Sequence, residues 1–217
     1  MVIKAKVSME SYPNWYEDIG RFASSCRDGG DPDPARFKAI GMHCVQSRHH
    51  AATRPFMFRF DIQNISRVAA QQLLRHTVGL LPMMESGRHV DIRYNDVVVP
   101  PSVLANEEAM TIWESVVSES KESYAKLVKL GIPLEDARML TTQAETTKIT
   151  IYLSFEALLN IYSERMCPHA QWEVRAAVGA IYQEFIKEFP ELTERFVLRC
   201  DSVGKCLEKA GCGRWTK

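Results

Sequence analysis

An α+β fold, a helix-rich single domain with a small antiparallel sheet, is predicted by three observations on the 217-residue sequence. Several segments carry apolar residues at helical spacing, one carries them at every second position, and no linker, internal repeat or low-complexity tract divides the chain. Residues 1–217 therefore read as one domain, a size that a single hydrophobic core supports.

Each element follows from its local pattern. Trp15, Ile19, Phe22, Ala23 and Cys26 recur at helical spacing, and the Asp-Gly-Gly-Asp-Pro-Asp-Pro run at 28–34 ends that helix with strong breakers. Phe56, Phe58, Phe60 and Ile62 alternate with Met57, Arg59, Asp61 and Gln63, the period of a half-buried strand. Asn64-Ile65-Ser66 offers capping side chains for a helix running to about Leu81, with Ile65, Val68, Ala69 and Leu73 as its apolar stripe. Pro82 and Gly87 break that helix into a loop, and His89 to Val99 reads as extended up to Pro100-Pro101. Ala105 to Leu130 forms a long amphipathic helix closed by Gly131, and Pro133 opens a short one through Leu140. Residues 149–166 and 170–188 read as two helices separated by Pro168, and a last helix starts near Glu191.

Lys plus Arg and Asp plus Glu both number 27, so no overall field favours nucleic acid or an anionic membrane, and any anion site has to be local. The apolar runs are too short for a membrane protein. The N-terminus lacks the apolar stretch and small-residue cleavage site of a secretory signal, which predicts a cytoplasmic chain with reduced thiols. Cys26, Cys44, Cys167, Cys200, Cys206 and Cys212 then read as free or buried thiols. The last three recur every six residues, a spacing that fits no common zinc site, and no metal is expected.

Two stretches concentrate chemistry. Gln72, Arg75 and His76 stand at i, i+3 and i+4 of the helix expected there and so share a face. That face leads into Ser86, Gly87 and Arg88, which offer a hydroxyl, an unobstructed backbone N–H and a guanidinium fork to a phosphate; the bland alternative is a solvated face followed by a turn. The second stretch is Arg165-Met-Cys-Pro-His-Ala-Gln-Trp-Glu-Val-Arg175, where Pro168 leaves Arg165 in the last turn of a helix. There an arginine complements the helix dipole or projects into a pocket. Trp172 and Val174 are expected in the core, Glu173 against a basic side chain, Met83 and Met84 in packing roles, and Lys121, Lys126 and Lys129 on a solvated helix face. His49-His50 reads as a polar loop pair.

Arg75 to His89 resembles the signature of the flavin-dependent thymidylate synthases, RHRxxSxNExSxRY, and His169-Ala-Gln-Trp-Glu173 is similar to that family's second landmark. Phe58-Arg-Phe60, Ser66-Arg67, Gln71-Gln72 and Ala137-Arg138 resemble further family positions, so the likeness spans roughly residues 44–175. It departs at Thr77, Met83, Met84, His89, Ser154 and Glu156, and one extra residue sits between His76 and Pro82, with Glu85 taking over for the displaced glutamate. The resemblance implies that Gln72, Arg75, Glu85, Ser86, Gly87, Arg88 and Arg138 hold a pyrimidine nucleoside monophosphate. Arg88 and Arg138 would lie on its phosphate, and Arg165 would be the activating, catalytic residue on the uracil. His50, Arg75, His76, Thr77, Asn160 and His169 would face the flavin. The family further implies FAD as cofactor, NADPH and methylenetetrahydrofolate as co-substrates, conversion of dUMP to dTMP, and a homotetramer with shared active sites. Methylation or hydroxymethylation of another pyrimidine nucleotide such as UMP, and a flavin-free nucleotide-binding homologue, are the alternatives raised by the departures. Cys167 is expected to be a bystander.

Overall fold

The chain is described by a computed structural model over residues 5–26 and 33–215. Four antiparallel strands form one sheet in the order β1-β2-β4-β3: β1 Lys6–Met9, β2 Met57–Ser66, β4 Thr146–Ser154 and β3 Leu80–Met84. The helices are α1 Trp15–Ser24, α2 Pro34–Gln46, α3 His50–Thr53, α4 Arg67–Leu73, α5 Pro101–Leu104, α6 Glu107–Lys129, α7 Leu134–Ala137, α8 Phe155–Arg165, α9 Trp172–Glu188 and α10 Arg199–Val203. Most of the expected break at 28–34 lies outside the described residues; Asp33 caps α2 by accepting from the Ala35 N–H.

The alternation read in the sequence is what gives β2 its two faces. Phe58, Phe60 and Ile62 are buried and stand opposite Leu153, Ile151 and Ile149 of β4, while Arg59 and Asp61 face out beside Tyr152 and Thr150. Helix α9 covers the apolar face with Val174, Ala177, Val178, Ile181 and Phe185. Trp15, fully buried, packs edge-on against Phe58, Phe155 and Phe189 and ties α1 to the same core.

The strand does not give way to a helix at Asn64. Between Ile62↔Ile149 and Ile65↔Thr147 the register gains one residue on β2, a bulge in which Asn64 takes φ +59°. The bulge buries Ile62 and Ile65 three positions apart, which is why the sequence looks helical there. Helix α4 begins only at Arg67, capped by Ser66 Oγ on the Ala69 N–H, and ends at Leu73 rather than near Leu81. Residues 80–84 are a strand, not the end of a helix and a loop; β3 is a sheet edge, where Pro82 costs no ladder hydrogen bond.

Three other expectations change. Residues 146–154 form β4, so the helix expected over 149–166 starts at Phe155; no glycine or proline separates the two, and Ser154, accepting from the Ala157 N–H, is the only boundary mark. His89–Val99 is irregular, fastened by a bridge between Val97 and Glu145 and by Val98 N–H to Ala144 O at 2.9 Å. Pro190–Arg195 is a 3-10 turn, and the last helix is α10. Helix α6 ends as expected before Gly131, at φ +83°.

Gly79 joins α4 to the edge strand at φ +70°, and a Cβ there would stand 2.4 Å from Ser154 Oγ and 3.0 Å from Ala157 Cβ. That hydroxyl is occupied as the α8 cap, so it cannot move without releasing the Ala157 N–H. Gly79→Ala is therefore expected to lose about 1–3 kcal/mol, read as a lower denaturant midpoint; an unchanged midpoint would refute the clash.

Candidate functional site

Cations collect where the loop after β3 meets the segment carrying α7. A Cβ on buried Gly87 would stand 3.2 Å from Arg138 Cδ and 3.4 Å from Arg67 Nη2, so both arginine side chains come close against this backbone and a larger residue would have to push them back. Ser86 Oγ accepts from the Arg88 N–H at 3.3 Å. Arg88 Nε meets Glu135 Oε2 at 2.6 Å, and Arg138 Nε donates to the Glu135 carbonyl at 3.2 Å. A small satellite core of Ile92, Tyr124 and Ala137 fixes Arg138 beside the loop. Glu85 is half-buried and bound through its N–H to Lys148 O, at 2.9 Å.

Arg67 is the residue that sequence reasoning passed over as a mere family position. Its Nη2 is buried and has no hydrogen-bond partner among the described residues. Glu145 lies close enough that the positive charges of Arg67 and Lys121 offset part of the rise that burial imposes on its carboxyl, and its Oε2 is likewise buried and unbonded. An unmet buried donor beside two further arginines points to an anion with several acceptor oxygens.

The shared helix face proposed for Gln72, Arg75 and His76 does not exist, because α4 stops at Leu73 and the latter two follow it. Gln72 is half-buried, Arg75 exposed. His76 turns toward the end of α8, where Arg165 Nε donates to its Nε2 at 2.8 Å. Burial, and then the charge of Arg165, lower the His76 pKa below the usual imidazole value. It is therefore a neutral acceptor that holds the guanidinium by one edge and leaves its Nη groups to point elsewhere.

Thr77, Gly79, Ser154 and Asn160 line a cavity of about 520 Å³, and His50 and Asn160 line a smaller one next to it. Glu156 borders both and pairs with Arg54 at 2.8 and 3.3 Å, which holds its carboxyl below the ordinary range. Thr77 and Asn160 are exposed, and neither side chain is hydrogen-bonded among the described residues. His169 is exposed and lines a third cavity with Arg165 and Cys167. Among the described residues no group of three or more His, Cys, Asp or Glu could hold a metal ion as it stands, and no helix is long and apolar enough to cross a membrane.

Four side chains behave differently from expectation. Glu173 is buried and, among the described residues, pairs with no cation: its two oxygens accept from Ser66 N–H and Ser66 Oγ, both at 2.6 Å. Met83 is exposed at the sheet edge, whereas Met84 packs on the core. Lys121 is half-buried and donates to Asn95 O at 2.6 Å. Trp172 is only half-buried, although Val174 is in the core.

The predicted residues thus fall into two groups at opposite ends of β3. Thr77 to Gly79 precede it and Ser86 to Arg88 follow it, and the strand between them is about 14 Å long at the usual rise per residue.

Comparison with known proteins adds an independent line. The model of the thymidylate synthase complementing protein family matches residues 1–191. The flavin-dependent thymidylate synthase of Nitratidesulfovibrio vulgaris is 29% identical over 181 residues, covering 79% of this chain and 74% of that protein. The flavin-dependent thymidylate synthase of Pyrococcus horikoshii is 31% identical over 181 residues, with 78% and 74% covered. That of Geobacter sulfurreducens is 36% identical over 130 residues, covering 59% of this chain and 56% of that protein. With a match over residues 1–191, the chain belongs to the thymidylate synthase complementing protein family, and the relatives compared above are flavin-dependent thymidylate synthases.

Proposed function

We propose that the chain methylates dUMP to dTMP, with methylenetetrahydrofolate as the carbon donor and a reduced flavin, FAD recharged by NADPH, as the hydride source. The observation that carries this reading is the approach of Arg67 and Arg138 to Gly87, with Arg88 the next residue in the chain and one buried donor unmet. A phosphate monoester carries the charge and the number of acceptor oxygens such a group of cations would need. In this reading a phosphate oxygen takes over Arg88 from Glu135, and Ser86 adds a hydroxyl. Gln72, Arg75 and Glu85 border the nucleotide.

Arg165, steadied by neutral His76, stabilises negative charge on the pyrimidine as its C5 becomes nucleophilic, a preorganised cation acting where charge develops. The open hydroxyl of Thr77, the amide of Asn160 and the Arg54 guanidinium fit the polar edge of a flavin ring; His50, His76, Arg75 and His169 complete that side. When bound, the flavin supplies the hydride. A cavity of about 520 Å³ accommodates only part of a dinucleotide, and the two residue groups lie at opposite ends of β3. Both facts favour a homotetramer in which one copy's cations serve another copy's flavin side, working in the cytoplasm without nucleic acid or membrane.

Purified protein is expected to show flavin absorbance, and NADPH-dependent flavin turnover with folate should run at least about tenfold faster with dUMP than with UMP. Equal rates would remove dUMP as the substrate. A protein unable to take up FAD would leave a nucleotide-binding homologue as the better reading.

A further inference from the structure

The arginines at the Gly87 loop are balanced from within by two carboxylates that differ in burial. Glu135 meets Arg88 at 2.6 Å, and its side chain, 45% exposed, is free to swing into water when a ligand replaces it. Glu145 stands behind Arg67 at 2% exposure and has no such route. Its backbone is fastened as well: its carbonyl accepts from the Arg67 N–H at 3.0 Å, its N–H donates to Thr142 O at 3.3 Å, and it is bridged to Val97.

Sheet order explains the meeting. Strand β4 lies between β2 and β3, so Arg67, one residue beyond β2, has to reach past the start of β4 to bring Nη2 to the loop after β3. Glu145 is the residue just before β4. Arg67 Nη2, Glu145 Oε2 and Thr147 Oγ1 are all buried and, among the described residues, without a hydrogen-bond partner. Native proteins leave few buried polar atoms unmet, and a donor, an acceptor and a hydroxyl together at one strand end point to a shared function.

The Glu145 carboxyl is acted on from three elements. Burial raises its pKa, and the Arg67 guanidinium at the start of α4, Lys121 on α6 and the Thr141 hydroxyl before β4 oppose that rise. Asp96, on the segment bridged to Glu145, is exposed, and Glu85 and Arg138 flank the Gly87 side. An anion on Arg67 upsets this balance, because it occupies the guanidinium and brings a like charge toward Glu145. Neither water nor rotation relieves a carboxylate buried this deeply, and neutralisation is what remains.

We propose that Glu145 is a built-in counter-ion of the anion site: ionised in the anion-free protein, it takes up one proton from solvent as a dianion settles on Arg67, so anion and proton bind together. Thr147 Oγ1, at the next position but one, offers an unmet oxygen to the O–H so formed. The sign follows from linkage. Affinity is complete below the carboxyl's titration range in the anion-free protein, and it is lost as pH rises through the higher range in the complex. The inference rests on reading the Gly87 loop as an anion site, not on pyrimidine chemistry.

The test titrates the full chain with sodium sulfate by calorimetry, in buffers of different ionisation enthalpy, from about pH 6 to about pH 9. Sulfate stays a dianion throughout, so every proton exchanged belongs to the protein. Wild type is expected to take up a proton within this range and to lose at least about fivefold in affinity across it. Glu145→Gln, an uncharged stand-in for the protonated carboxyl, should match wild type at the low end and bind at least about fivefold tighter at the high end. His89 is common to both proteins, so the difference between them belongs to Glu145. Glu135→Gln should tighten sulfate at every pH and leave the proton uptake in place, because the exposed carboxylate departs still ionised.

The proposal is overturned by wild type that takes up no proton, by equal uptake in Glu145→Gln, by weaker binding of that variant at high pH, or by no sulfate binding at all. The wild-type measurement decides even if the variant does not fold. Adding dUMP separates this inference from the methylation reading. Proton-linked sulfate binding that dUMP fails to displace would remove dUMP and keep Glu145, and displacement without proton exchange would do the reverse.

Discussion

Arg165→Ala is expected to lower dTMP formation by about a hundred- to a thousand-fold at saturating substrate, the usual loss when one preorganised charge-stabilising donor is removed. The protein should still fold and hold flavin, because the side chain is half-buried and its one hydrogen bond within the described residues is to His76 Nε2. Arg165→Lys separates charge from geometry. It keeps a cation but has no planar fork with one edge on His76 and the other free, so it should recover only a small part of the rate. Product formation under single turnover, with flavin absorbance as the folding control, decides the matter; a rate within a few-fold of wild type in Arg165→Ala would take Arg165 out of the chemistry.

Glu173→Ala should lower stability by about 2–4 kcal/mol, or the Tm by roughly 5–15 °C. The carboxylate is buried at the start of α9 and takes up both the N–H and the hydroxyl of Ser66, whose Oγ in turn caps α4 through the Ala69 N–H. Alanine would leave a buried N–H with no acceptor, and the serine would lose its bond to the helix behind it. Glu173→Gln keeps one acceptor oxygen and should retain more than half of the lost stability. Thermal unfolding of both variants checks this, and equal melting points for Ala and wild type would show that water or a shifted side chain replaces the carboxylate.

What could be read from the sequence was set by how sharply each boundary is punctuated. Helix α6 has Asn106 before it and Gly131 after it, and the strand at Phe58 to Ile62 has an uninterrupted alternation; both were predictable. Strand β4 was not, although Ile149, Ile151 and Leu153 also alternate, because it passes into α8 through a serine and the combined apolar run has the length of a helix. Edge strand β3 was hidden by Pro82, a residue that argues against a strand everywhere except at an edge.

The site divides in the same way. Ser86, Gly87 and Arg88 stand out in the sequence because a hydroxyl, a glycine and a guanidinium fall side by side, whereas Arg138 enters only through the family resemblance and the fold brings it to Gly87. Arg67 does not stand out, since in sequence it is one more polar residue at a helix start, and only the fold brings its Nη2 to Gly87. The supposed helix face of Gln72, Arg75 and His76 failed with the helix, yet His76 still reached Arg165, because the turn after Leu73 redirects it.

The extra residue in β2 acts as a parity bit. Side chains along a strand are assigned to one face or the other by odd or even position, so a single inserted residue inverts every assignment that follows it. Run without the bulge, this sequence would carry Ile65 toward solvent and turn Ser66 away from Glu173 and from the start of α4. The bulge absorbs that inversion, so Ile65 stands opposite Thr147 on the same buried face as Ile62. Deleting Asn64 would therefore keep the two strands in phase and remove only the local bend.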